Sequence, residues 1–300
     1  MRTVYLGTSE FAVAVLRRLA TSPHKPSLVV TPPDRRQGRG RRTSPPPVAE
    51  AAAELGIELL QVESVNDGPA LERIRAAEPE LALVCAFGQL IREPLLDELP
   101  MLNVHPSLLP RWRGAAPIER AIMAGDQRTG VCVMQLTAGL DSGPVASREE
   151  VAIEPEDDFG TLSERLATRG GELLVAALDR RAQGGLELEE QDDEAATYAE
   201  KIEPAERLLD PARPAAELAR TVRALTPHVG AFLETAGGKL GVRRARAVDV
   251  GVRAGELKAE WGALLLGCGR GTLRLDVIQP AGGKPMAADA FLRGHSVPKL

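Results

Sequence analysis

Aromatic residues are scarce in this 300-residue chain: Phe, Tyr and Trp together make up 3%. A core built from it rests instead on Leu, Val, Ile and Ala, within an apolar content of 44%. Cysteine is limited to three residues, Cys85, Cys132 and Cys268, widely spaced and set in apolar stretches. An odd number at such intervals makes neither a disulfide framework nor a zinc-ligand pattern, so no metal is expected. No run nears the roughly 18 apolar residues of a spanning helix, so no membrane partner is expected. The N-terminus passes directly into Thr3-Val4-Tyr5-Leu6-Gly7, the pattern of a first strand and not of a signal peptide. A soluble, cytoplasmic protein is predicted, and a monomer is its expected state.

Length and charge then divide the chain. At 300 residues it exceeds one ordinary domain and suits two. The net charge of −5 hides an asymmetry. From Glu206 to Leu300 there are 15 Lys and Arg against 9 Asp and Glu, a balance of +6; the first 205 residues hold 22 against 33, a balance of −11. A basic segment on an acidic chain points to an anionic partner, although a solvated surface also explains a charge excess.

The first half alternates strand-like and helix-like segments. Val4–Leu6, Leu28–Val30, Leu81–Cys85, Met101–Val104 and Val131–Leu136 read as strands. Phe11–Leu19, Val48–Leu55, Leu71–Ala77 and Ala116–Ala124 read as helices. Phe159–Ala182 predicts a long closing helix, and the acidic stretch Leu186–Glu206 an exposed linker. A helix over Ala215–Leu225 then precedes short glycine-separated runs, Ala231–Leu233, Leu257–Ala259, Ala263–Leu266 and Thr272–Val277, which suggest a small β-barrel or sandwich. The expected fold class is α/β: an N-terminal Rossmann-like, mostly parallel sheet with flanking helices, plus a smaller C-terminal β-barrel of OB-like type. The expected boundaries are 1–186, a linker over 187–205, and 206–300.

In such a sheet, ligands gather at the carboxyl ends of strands. The first strand ends in Gly7-Thr8-Ser9-Glu10-Phe11, whose single glycine does not make a dinucleotide fingerprint. A tight turn with Ser9 capping the next helix is the better reading. The strand ending at Val104 is more informative. Asn103 and His105 lie two apart, so they point to one side, and Pro106 stops the strand there. His can shuttle a proton near neutral pH, and an Asn amide can donate to a developing oxyanion. Asp141, with Gly139 and Gly143 near it, follows another strand and can turn a carboxylate toward a site. Loop residues that cap strands fit the same spacing.

Together, Asn103-Val104-His105-Pro106-Ser107-Leu108-Leu109-Pro110, Arg113-Gly114 and Gly139-Leu140-Asp141-Ser142-Gly143 resemble the signature of the folate-dependent formyltransferases. The resemblance implies a catalytic trio of Asn103, His105 and Asp141. Asn103 and His105 would stabilise an oxyanion, Asp141 would orient the imidazole, and either His105 or Asp141 would take the first proton. It also implies a folate pocket lined by Phe87, Gly88, Gln89 and Leu90 with Ser107, Leu108, Leu109 and Pro110. The formyl donor would be 10-formyltetrahydrofolate.

Five arginines, Arg35, Arg36, Arg39, Arg41 and Arg42, occupy the eight positions from Arg35 to Arg42. Such a loop suits phosphates and single-stranded nucleic acid ends, while a solvated charged loop is the commoner explanation of an Arg run. Gly38 and Gly40 predict that it has no fixed resting structure. It resembles the basic insertion loop of the family's tRNA-acting members, and Trp112–Ile118 and Thr197–Ile202 resemble strings of that branch. The implied partner is initiator methionyl-tRNA, gripped at its acceptor end, with the basic C-terminal segment as a tRNA-binding barrel. The likeness loosens after about Arg207, where Asp210-Pro211 stands for the branch's usual Asp-Trp. An amino-sugar formyltransferase would need no Arg loop or basic second domain. A non-catalytic RNA-binding protein would not keep the trio. Trp261 and Tyr198 are expected to pack, and His24, His228 and His295 to be surface or capping residues.

Overall fold

The computed structural model describes residues 1–37 and 42–300, without the side chains of Arg36, Gln37 and Arg42. The described chain groups into two compact units that do not follow chain order. The first takes Met1–Gly114, Arg128–Ala152 and Ser163–Tyr198; the second takes Ala115–Gln127, Ile153–Leu162 and Ala199–Leu300. Two segments that read as part of the N-terminal domain, 115–127 and 153–162, therefore group with the C-terminal one.

In chain order the elements begin with β1 (Thr3–Gly7), α1 (Glu10–Ala20), β2 (Leu28–Thr31), β3 (Arg35–Gln37), β4 (Arg42–Ser44), α2 (Pro47–Glu54), β5 (Glu58–Gln61) and α3 (Gly68–Ala76). Next come β6 (Leu81–Cys85), α4 (Leu95–Glu98), β7 (Met101–His105), β8 (Arg113–Gly114), α5 (Pro117–Ala124), β9 (Arg128–Gln135), β10 (Val145–Ala152) and α6 (Phe159–Ala182). β11 (Tyr198–Ala199) precedes α7 (Ala215–Leu225), β12 (Ala231–Thr235), β13 (Gly238–Val248), β14 (Leu257–Glu260), β15 (Ala263–Gly267), β16 (Thr272–Gln279), β17 (Met286–Ala287) and α8 (Ala288–Gly294).

The first unit is built on a seven-stranded sheet of order β10-β9-β7-β6-β1-β2-β5. Its centre is parallel, and β9 and β10 add an antiparallel edge. Strands β1, β6 and β7 are buried at every position, as expected of parallel strands covered on both faces. Helix α1 buries Ala12, Val15, Leu16 and Leu19, one helical face, against the sheet. Helix α6 comes closer than most side chains permit. A Cβ at Gly170 would lie 2.8 Å from Val104 Cγ1 and 3.1 Å from Val131 Cγ2, so the glycine lets the helix sit on the strand that carries Asn103 and His105.

The second unit carries a six-stranded antiparallel sheet, β12-β13-β16-β15-β14 with β17 on β16. One face holds the core, where Leu264, Leu266, Leu273 and Leu275 pack with Leu218 and Val222 of α7. The mostly parallel α/β unit and the smaller β unit agree with the expected fold class.

Several local readings change. Ser9 occupies the N-cap of α1, but its hydroxyl makes no cap hydrogen bond and is buried without a partner. Trp261 and Tyr198, expected to pack, are 84% and 57% exposed because each lies in a turn or short bridge away from a core face. His24 is buried, not superficial, with Nε2 2.8 Å from Asp179 Oδ1. The flanks of the Arg loop pair as an antiparallel ribbon, Arg35 opposite Ser44 and Gln37 opposite Arg42. The ribbon's backbone bonds give those flanks a definite form. Among the described residues no helix is long and apolar enough to cross a membrane.

Candidate functional site

The parallel register sets Val84 of β6 beside Asn103 of β7, so the carboxyl ends of these strands open together. Asn103 is 9% and His105 4% exposed. Among the described residues no hydrogen bond engages the Asn103 side-chain amide. His105 is held firmly: Nε2 lies 2.9 Å from the carbonyl oxygen of Trp112. A carbonyl can only accept, so Nε2 carries the hydrogen and the lone pair of the neutral ring is on Nδ1. Nδ1 in turn faces Asp141 Oδ2 at 3.6 Å.

Two turns make this arrangement. Trp112 has φ 64°, a left-handed conformation that a bulky residue rarely adopts. Its N–H donates to Thr197 Oγ1 at 3.0 Å. Asp141 also has positive φ, 46°, and its Oδ2 accepts from the Gly114 N–H at 2.9 Å. The Asp141 turn requires Gly143, since a Cβ there would lie 2.0 Å from the Gln135 carbonyl oxygen.

Gln191 braces both turns. Its amide donates to the carbonyls of Asp141 and Gly143 at 2.9 and 2.6 Å, and its oxygen accepts from Arg113 Nε at 3.0 Å. Arg113, 3% exposed, also reaches Asp193 Oδ1 at 2.7 Å. Gln191, Asp193 and Thr197 all fall in the stretch that reads as an exposed linker. Its acid-rich composition masks their role, and nothing in their spacing signals it.

The residues expected around folate occupy two segments at the same strand ends. Phe87 is buried and its carbonyl accepts from Thr8 Oγ1, while Gly88 takes φ 74° with open space around its missing Cβ. The Gln89 amide is used internally, accepting from Val65 N–H and donating to the Val62 carbonyl. Leu90 is 65% exposed. On the second segment Ser107 is buried and donates to the Arg111 carbonyl at 2.6 Å, and Leu109 packs with Cys132, Met134 and Val145. Leu108 and Pro110 are half-buried. Faces open to a ligand thus belong to Gly88, Leu90, Leu108 and Pro110. Of the arginines, Arg35 is exposed, Arg36 and Arg42 are described in backbone only, and Arg39 and Arg41 lie outside the described residues.

Other reactive groups are unsuited to chemistry. Burial pushes the Cys85 thiol up to about 12 and the Cys132 thiol to about 11, so both stay protonated and unreactive. Among the described residues no group of three or more His, Cys, Asp and Glu is placed to hold a metal ion.

Comparison with known proteins fits the whole chain. The model of the formyl transferase family matches residues 1–178, and that of the formyl transferase C-terminal domain matches 201–296. The methionyl-tRNA formyltransferase of Neisseria meningitidis serogroup C is 40% identical over 302 residues, 99% of this chain and 98% of its own length. That of Methylobacillus flagellatus is 42% identical over 298 residues, 98% of this chain and 97% of its own. The chain belongs to the methionyl-tRNA formyltransferase family. A solved methionyl-tRNA formyltransferase from Clostridium thermocellum shares the fold at TM-score 0.58 and 13% identity, over 87% of this chain and 97% of that one. Membership in the methionyl-tRNA formyltransferase family extends to the antiparallel C-terminal unit, where the sequence resemblance was loosest.

Proposed function

We propose that this chain transfers the formyl group of 10-formyltetrahydrofolate to the amino group of methionyl initiator tRNA, with Asn103, His105 and Asp141 as its catalytic residues. The observation that carries the reading is the set of three: an unengaged Asn103 amide, a tautomer-locked His105, and Asp141 beside Nδ1.

A free α-amino group has a pKa of roughly 7.7–8.0, so much of the acceptor is already neutral near pH 7.5. Its nitrogen attacks the formyl carbon, and the carbonyl π pair moves onto oxygen. The Asn103 NH2 donates to that oxyanion, a contact made only as charge develops. The amine proton passes to the Asp141–His105 pair. A proton on Nδ1 leaves the imidazolium between two oxygens, Trp112 O and Asp141 Oδ2, so the pair holds it without moving the ring. Collapse of the intermediate breaks the bond to folate nitrogen, which receives the proton back. Formyl, proton and electron pairs balance without an external oxidant or a covalent enzyme intermediate.

The donor fits the open edge formed by Gly88, Leu90, Leu108 and Pro110. The arginines between Arg35 and Arg42 contact the acceptor end of the tRNA, and the protein works in translation initiation in the cytoplasm, as a monomer. The test is formyl transfer from 10-formyltetrahydrofolate to methionyl-tRNA, with free methionine as comparison acceptor. Transfer to the tRNA far in excess of that to methionine supports the reading; equal transfer to both points to a small-amine formyltransferase.

A further inference from the structure

Thr197 engages three residues of the segment that supplies the partner of His105. Its N–H donates to the Pro110 carbonyl at 3.2 Å, its Oγ1 accepts from the Trp112 N–H at 3.0 Å, and its carbonyl accepts from the Arg113 N–H at 2.8 Å. Two of these bonds are backbone and survive any substitution except proline. The third depends on the hydroxyl. Thr197 is half-buried and Tyr198 after it is exposed, so apolar packing does little to anchor this stretch.

The hydroxyl meets the chain where it is strained. Trp112, at φ 64°, lies between two peptide planes, one carrying its own N–H and the other its carbonyl with the Arg113 N–H. Thr197 Oγ1 holds the first plane and Thr197 O the second. A bulky residue keeps a left-handed conformation only where its surroundings over-determine it, and these two bonds do so.

Beyond Trp112 the effect reaches the position of one hydrogen. A neutral imidazole has a single N–H, and two acceptors face the His105 ring: Trp112 O at 2.9 Å from Nε2 and Asp141 Oδ2 at 3.6 Å from Nδ1. The nearer carbonyl takes the hydrogen while Trp112 stays in place. A relaxed Trp112 withdraws that carbonyl, and the hydrogen moves to Nδ1, toward the carboxylate. The nitrogen facing Asp141 then has no lone pair to receive a proton.

We propose that Thr197 is a positioning residue for the formyl-transfer site, its hydroxyl holding Trp112 in the conformation that keeps the His105 hydrogen on Nε2. The catalytic consequence rests on the role proposed above for His105; the hydrogen position does not.

The test reads the ring nitrogens by NMR in the full, isotopically labelled chain at about pH 8, above the ordinary histidine range. His105→Gln identifies the His105 signals among the four histidines. Thr197→Val keeps the β-branch and both backbone bonds but cannot accept from Trp112. Its Nδ1–H form should rise to at least an equal share, and kcat should fall about tenfold with KM for donor and methionyl-tRNA unchanged. Thr197→Ser restores the acceptor and should restore both. Trp112→Gly added to Thr197→Val removes the strain, since glycine accepts positive φ, and should bring the Nε2–H form back. An unchanged tautomer in Thr197→Val overturns the proposal, and so does an equal loss in Thr197→Ser. A tautomer shift in Thr197→Val, in a protein that does not formylate methionyl-tRNA, would sink the proposed function and leave this role standing; formylation with an unshifted tautomer would do the reverse.

Discussion

The carbonyl of Trp112 fixes which nitrogen of His105 carries the hydrogen and leaves the lone pair on Nδ1. The 2.9 Å contact to Nε2 exists because Trp112 holds φ 64°, which turns its carbonyl back toward the strand that ends at His105. Nitrogen NMR of the resting protein should show the Nε2–H tautomer. Glycine accepts this backbone conformation, but a β-branched residue loses roughly 1–2 kcal/mol there. Trp112→Gly is therefore expected to retain most turnover, and Trp112→Val to lose about 10²-fold through displacement of the ring. Comparable kcat values for the two variants would detach the strain from the chemistry.

Gln191 is expected to act as a positioning residue. Truncation to Ala strands the Arg113 Nε–H and two carbonyls, a cost of about 1–3 kcal/mol for each buried group left unpaired. Gln191→Glu can still accept from Arg113 but cannot donate to the Asp141 and Gly143 carbonyls. It should recover part of the thermal stability of Gln191→Ala and none of the turnover. Joint recovery of both would mean that Gln191 supports folding alone.

Acid stability should depend on a pair in the second unit. Glu206 accepts from Arg120, which holds its carboxyl below the usual value of 4.5, and it also accepts from the Glu203 N–H at 2.9 Å. A carboxylate with a lowered folded pKa stabilises the fold above its unfolded pKa and loses that contribution as pH falls through the folded one. Denaturant titrations of Glu206→Gln should thus show a flatter decline in stability below about pH 4.5 than wild type. Parallel declines would remove Glu206 from the acid response.

These relationships differ in how far the sequence exposes them. Strand β6 is apolar throughout, β1 and β7 carry the apolar residues Val4–Leu6 and Met101, Leu102 and Val104, and α6 repeats its apolar residues at helical spacing, so both classes are legible. β5, Glu-Leu-Leu-Gln, offers only two apolar residues at an exposed edge. In β10 and β13 polar and Arg residues hide the alternation; Leu240, Val242 and Ala245 point inward between Lys239, Arg243, Arg244 and Arg246. Asn103 and His105 are legible because period two and Pro106 place them at a strand end. Gln191 and Thr197 are not, since they reach the site through chain folding alone. Trp261 misleads because aromatic residues usually earn their place by burial, and turn geometry overrides that preference here.

In the proposed mechanism Asn103, held unengaged beside a fixed His105, stabilises the oxyanion of formyl transfer. Single-turnover transfer with donor and methionyl-tRNA both saturating isolates that step from binding. Asn103→Ala should lower the rate by about 10²–10³ while leaving the dissociation constants of donor and tRNA near wild type. A single-turnover rate equal to that of wild type would contradict the claim.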